Sequence, residues 1–143
     1  MKGLAVLLAA AAVTVAPTAA ATPPTGVEVV TLSQNTVNGV EYVVTRITVA
    51  PGGETGWHYH PGEVFGYISD GAMTHWSAPG VGGCTVDAVY GSGAPVKEGV
   101  GPGFVHNGRN EGNTPLVMEV VYINPVGAAR SVEVPEPAGC PVS

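Results

Sequence analysis

Charge is scarce in this sequence. Only 11% of its 143 residues are Asp, Glu, Lys or Arg, and five of those are basic. There is no basic run, and the formal net charge is −6. A chain with this balance repels phosphate backbones and anionic lipid surfaces, which disfavours nucleic-acid binding and membrane attachment by charge. Amphipathic helical periods are missing beyond the N-terminal segment, and with them the helical classes of fold. Several kinds of chemistry also lack their residues. There is no Gly-x-Ser-x-Gly elbow, no phosphate-binding loop, no cysteine placed beside a histidine, and no convergent pair of acids for glycoside hydrolysis. Cysteine is limited to Cys84 and Cys140, set apart in sequence from the histidine-rich segment, so a thiolate metal site is disfavoured too.

What the chain does contain is valine, glycine and proline, with 21 Gly and 13 Pro. β-Branched residues between frequent turn formers describe an all-β domain with short connections. The N-terminus differs. Met1-Lys2-Gly3 is followed by an apolar, alanine-rich run over 4–15 and small residues up to Ala21. This pattern predicts a signal peptide over 1–21, cleaved near Ala21, and a secreted protein; the run is too short for a membrane span. Losing Lys2 with that segment makes the remainder more acidic still, and no membrane insertion is expected after cleavage. In an oxidising compartment, the even cysteine count predicts a Cys84–Cys140 disulfide tying the C-terminal tail to the body of the domain.

The remaining residues suffice for one domain with one core. A lead-in and first strand are expected over 22–39, the barrel proper over 40–126, and a last strand and tail over 127–143. Strands are expected at 27–32, 40–49, 56–60, 64–69, 72–77, 85–90, 104–106, 116–123 and 131–134. Polar, turn-like residues fill 33–38, Asp70-Gly71 marks a hairpin, and Asn107-Gly108 reads as a turn. The segment 116–123 is the most apolar and is expected at the centre of a sheet. Strands this short and evenly spaced make a sandwich or a barrel.

The informative stretch is Gly52-Gly53-Glu54-Thr55-Gly56-Trp57-His58-Tyr59-His60-Pro61-Gly62-Glu63. Residues two apart on a strand share a face, so His58 and His60 project together and form a two-imidazole clamp suited to a metal ion. A closed sheet could bring His106, on a later strand, opposite them. His75 reads as an ordinary strand residue, with a place in the cavity lining as the lesser alternative. Trp57, Tyr59, Phe65, Tyr67 and Trp76 read as packing residues, and Arg109 and Asn110 as turn or supporting groups.

This arrangement resembles the cupin superfamily. The first cupin motif is matched by Gly52, His58-Tyr59-His60, Glu63 and Gly71, and part of the second by Gly103, His106 and Asn110. Gly-Trp-His-x-His-Pro-Gly with a later His106-Asn107-Gly108-Arg109-Asn110-Glu111-Gly112 is similar to a subgroup of small secreted bacterial cupin-2-like proteins. The resemblance spans roughly 40–121. It implies a single-domain jelly-roll β-barrel and a metal held by His58, His60, His106 and the motif glutamate. Two departures qualify it. Counted back from Gly71, the glutamate position is Val64, and Glu63 sits one place early, where a strand would turn it to the opposite face. In the second motif, Gly101 replaces the expected proline and Pro95 the first glycine. Glu63 is therefore a candidate fourth ligand from the Pro61-Gly62 turn, with water as the alternative. The ligand type suits Fe, Mn, Ni, Cu or Zn. Three functions follow: a metal-dependent enzyme, dioxygenase- or isomerase-like, acting on a small organic molecule; a non-catalytic barrel that binds a metal or small molecule; or a structural extracellular protein whose barrel is a relic. A homodimer through edge strands is a further expectation of the resemblance.

Overall fold

The computed structural model describes residues 20–78, 80 and 83–140. Apart from Ala20 and Ala21, the segment read as a signal peptide lies outside them. Ten strands follow one another: β1 Thr25–Val37, β2 Val40–Glu54, β3 His58–Tyr59, β4 Glu63–Asp70, β5 Ala72–Ser77, β6 Thr85–Gly91, β7 Pro95–Glu98, β8 His106–Arg109, β9 Leu116–Pro125 and β10 Val132–Glu133. No described residue is helical. All strand pairings are antiparallel, in the order β10-β3-β8-β2-β9-β4-β7, with β1 added on β2 and the β5–β6 hairpin attached through β8. The result is an all-β, nearly closed barrel of the jelly-roll kind.

Alternation sets its inside and outside. Val43, Thr45, Ile47 and Val49 of β2 are buried, and so are Leu116, Met118, Val120 and Tyr122 of β9. The two strands pair over ten positions, from Val40↔Pro125 to Val49↔Leu116. As its apolar sequence predicts, β9 is central, flanked by β2 and β4. The core adds Val64 and Ile68 of β4, Met73 of β5 and Val96 of β7. Burying one such side chain stabilises by about 1.5–3 kcal/mol.

Three expectations need correction. Residues 33–37 are strand rather than turn: β1 continues to Val37 and reverses at Asn38-Gly39, both with positive φ. Ser33, Gln34 and Asn35 are polar because β1 is an edge strand exposed along nearly its whole length, and its ladder bonds to β2 outweigh its turn-like composition. Asn107-Gly108 is likewise no turn. It lies within β8, opposite Trp76 and His75 of β5. Asn107 is fully buried and donates to Glu54 Oε2 at 2.6 Å, and a Cβ on Gly108 would come within 2.8 Å of Met73 Sδ. Buried pairing overrides the turn propensity of Asn-Gly there. Finally, Pro95–Glu98, to which the sequence pattern assigns no strand, forms β7 on the free side of β4.

The C-terminal tail is part of the wall. β10 pairs with β3, Val134 N donates to Trp57 O at 2.9 Å, and Thr22 N donates to Val134 O at 3.0 Å. The Cys84–Cys140 disulfide fastens this tail to the start of β6, closing a span of 56 residues.

Candidate metal centre

Two strands and the turn after the first of them bring the histidines together. His58 on β3 pairs directly with His106 on β8. His60 lies just past β3, bridged to Val100, with its carbonyl accepting from Gly101 N at 2.8 Å. Gly62 lets the chain turn hard against β9, where a Cβ would fall 1.8 Å from Asn124 Oδ1. The ring centroids lie 4.4 Å apart for His58–His106, 4.8 Å for His58–His60 and 5.1 Å for His60–His106. All three residues are buried.

The carboxylate beside them is Glu98, not Glu63. Glu63 faces outward at the start of β4, its side chain 48% exposed, 3.9 Å from Lys97 Nζ. Its neighbour Val64 takes the inward direction and is buried in the core. Alternation is therefore enforced at this point, and Glu63 does not reach the histidines. Glu98 arrives from β7, directly across the β4–β7 ladder from Val64. Its Oε2 lies 2.9 Å from His60 Nε2 and in contact with His106 Nε2. One donor atom from each of His58, His60, Glu98 and His106 can be chosen so that all lie within 4.8 Å of one another.

Each histidine has its other nitrogen committed. His58 Nδ1 donates to Gly56 O at 2.8 Å, His60 Nδ1 to Arg130 O at 2.7 Å, and His106 Nδ1 to Phe104 O at 2.8 Å. A carbonyl can only accept, so each Nδ1 carries a proton and Nε2 is the atom turned to the centre, where it can ligate once it carries no proton. Burial, then the neighbouring His106 and His60, lowers the His58 pKa to about 3, so that ring is neutral. Burial pushes Glu98 up, but contacts with His106 and His60 outweigh it and hold the carboxyl well below its ordinary value. Burial likewise pushes His106 down, while its contact with Glu98 leaves it raised. Imidazole nitrogens and a carboxylate at this distance are held by a proton or a metal ion between them. His106 Nε2 is buried without a hydrogen bond of acceptable geometry. The donor set of three imidazoles and one carboxylate fits a divalent transition metal.

Supporting groups surround the cluster. Tyr122, its ring 5.7 Å from His60, is pushed up to about 12 by burial and the charge of Glu98, and stays a phenol. Asn110 Nδ2 donates to Val49 O and Thr114 O at 2.9 and 2.8 Å, pinning the loop after β8. Arg109 pairs with Glu54 at 3.0 Å and lies over the Trp76 ring. His75, read from the sequence as an ordinary strand residue, stacks on His106 at 5.1 Å and lines a cavity of about 280 Å³ that reaches Glu98 and His106. A smaller cavity, about 110 Å³, reaches His58 and His60 from the side of β1 and β10.

No family model and no curated protein matches the sequence. Solved structures do match. A cupin 2 conserved barrel domain protein from Salinispora arenicola is 23% identical with a TM-score of 0.51, over 67% of this chain and 74% of that one. A conserved protein of Klebsiella pneumoniae with a double-stranded β-helix domain is 22% identical with a TM-score of 0.52, over 80% and 81%. Oxalate decarboxylase from Bacillus subtilis, an enzyme with Mn(II) centres, is 19% identical with a TM-score of 0.52, over 71% of this chain but only 29% of its own length. The chain thus has the cupin fold, and it carries a His-His-Glu-His cluster able to hold a metal.

Proposed function

We propose that this protein binds one divalent transition metal through His58, His60, Glu98 and His106, and that the centre acts on a small organic molecule. The observation that supports it most is the set of Nδ1–carbonyl bonds, which turns three buried Nε2 atoms and one carboxylate towards a common point. Four protein ligands leave coordination positions free in a five- or six-coordinate ion. A metal there supplies Lewis acidity or, if redox-active, electron transfer to a bound molecule. The chain's own residues do the rest. The Nδ1 bonds hold the rings in orientation, Tyr122 remains a neutral hydrogen-bond donor beside His60, and the apolar barrel wall of Val64, Met73 and Met118 limits water.

The fold likeness to oxalate decarboxylase and the open cavity at Glu98 and His106 support the enzymatic reading over a purely structural barrel. Export is part of the proposal, supported by the Cys84–Cys140 disulfide and the signal-like N-terminal sequence. Elemental analysis of the purified protein tests the core of it. One equivalent of Fe, Mn, Ni, Cu or Zn per chain, lost in His58→Ala, is expected. A wild-type chain that takes up no metal when supplied with each of these ions contradicts it.

A further inference from the structure

The cavity beside Glu98 has a donor and acceptor pattern of its own. His75 Nδ1 lies 2.6 Å from Asp87 Oδ1, so its proton is committed to that carboxylate. Its Nε2 is then the ring atom left over. This atom is buried and makes no hydrogen bond within the protein. It lies 3.9 Å from Glu98 Oε1, while the other oxygen, Oε2, faces His60 and His106. Two acceptors, one nitrogen and one oxygen, therefore stand side by side at the cavity wall. A buried acceptor without a partner is costly, and its natural complement is a donor on a ligand.

Charge narrows the choice further. The cavity is lined by Asp87 and Glu98; of the basic residues there, His106 is already paired with Glu98 and Lys97 turns its ammonium away. Lys97 Nζ sits over the Phe65 ring at 5.1 Å and 3.9 Å from Glu63, on the outer face of the barrel. An anionic ligand finds no unpaired side-chain counter-ion at this wall. Beside the Ser77 hydroxyl, the rest of the wall carries two aromatic rings, Phe104 and Tyr90. Phe104 lies so close over Gly99 that a Cβ there would meet its ring at 2.3 Å, and the Tyr90 ring stands at 83° to His75 with centroids 6.0 Å apart.

We infer that this cavity binds a small, neutral, hydroxyl-bearing molecule with a flat apolar body, such as a simple phenol or alcohol, whose O–H donates to His75 Nε2. Asp87 is the positioning residue that fixes the His75 ring for this contact. The inference deepens the proposed function by naming the substrate class of its site, and it rests on that reading for the role of the cavity in chemistry, though not for binding itself.

Phenol and anisole separate the donor from the ring, since anisole keeps the ring and lacks the hydroxyl proton. Binding of each is measured by titration calorimetry or NMR on the metal-free and the zinc-loaded full protein, with zinc stoichiometry determined separately. The expected result is a preference for phenol of about tenfold in both forms, the size of one well-made buried hydrogen bond. It should fall to about threefold or less in His75→Phe, with zinc stoichiometry unchanged, and fall also in Asp87→Ala, a change at a half-exposed side chain. Equal binding of phenol and anisole to the metal-free wild type overturns the inference. So does a phenol preference that survives both substitutions, or benzoate binding the metal-free protein more tightly than phenol. A chain that takes up none of Fe, Mn, Ni, Cu or Zn yet keeps the His75-dependent preference would sink the metal proposal and leave this inference standing.

Discussion

Val64 and Glu98 face each other across the β4–β7 ladder. The cupin resemblance places a carboxylate at the position of Val64, and this chain has supplied it from the next strand. The pair predicts a swap. Glu98→Val alone should weaken metal binding by about a hundredfold or more, since even outer groups around a metal are worth ten- to a hundredfold. Val64→Glu combined with Glu98→Val should recover affinity to within about tenfold, because the new carboxylate starts from the facing residue. Competition titration with a chelating dye reads both. A double variant no better than Glu98→Val would mean that the position, and not only the charge, is fixed.

Acid should destabilise the metal-free protein. The ordinary His value is 6.5 and that of His58 in the fold is about 3. The unfolded chain therefore takes up a proton that the fold resists, so this contribution is full above pH 6.5 and is lost as pH falls from 6.5 towards 3. Glu98, held well below 4.5, adds loss in the same direction below that value. His106 has the opposite sign. Its raised value gives stability that is full below 6.5 and fades as pH rises through it. Thermal melts of the metal-free chain should peak at roughly pH 6–7 and fall on the acid side. A peak below about pH 4 contradicts this assignment of protons.

The same protons govern metal uptake. The contact with Glu98 favours the protonated form of His106 in the metal-free chain, beside a carboxylate held well below its ordinary value. Binding should release a proton from every chain in which His106 carries it, and affinity should rise with pH until His106 is neutral. Calorimetry in buffers of different ionisation enthalpy measures that number directly. Release close to zero would mean that the His106–Glu98 contact holds no proton.

The tail connects the disulfide to the centre. Arg130 O orients His60, and the segment from there to Cys140 is held by β10 and the bond to Cys84. Cys84→Ser should cost roughly 4 kcal/mol by the chain-entropy estimate for a loop of this size. It should also loosen metal binding while leaving one metal per chain at saturation. Denaturant melts with and without reductant check the first effect, and an unchanged midpoint would contradict it.

The histidines were legible because their signal is local. His58 and His60 share a face by strand alternation alone, and the spacing around His106 matched a known motif. Glu98 was not, for a non-local reason. Pro95–Glu98 follows Gly-Ser-Gly-Ala, and its strand exists only because β4 offers a free edge. The alternation was there to read, with buried Val96, exposed Lys97 and inward Glu98, but four residues carry too little pattern to stand without their partner. Glu63 erred in the other direction: proximity to a motif made it a candidate, and the register of β4 turned it out to solvent. Asn107-Gly108 shows the same limit, since only burial against Glu54 and Met73 makes that dipeptide extended.

The most direct test of this account compares two carboxylates in one experiment. Metal content is measured after identical loading for the wild type, Glu63→Ala and Glu98→Ala, with circular dichroism confirming the fold of each. The account predicts one metal per chain in the wild type and in Glu63→Ala, with weak or absent retention in Glu98→Ala. Full retention in Glu98→Ala together with loss in Glu63→Ala would contradict it.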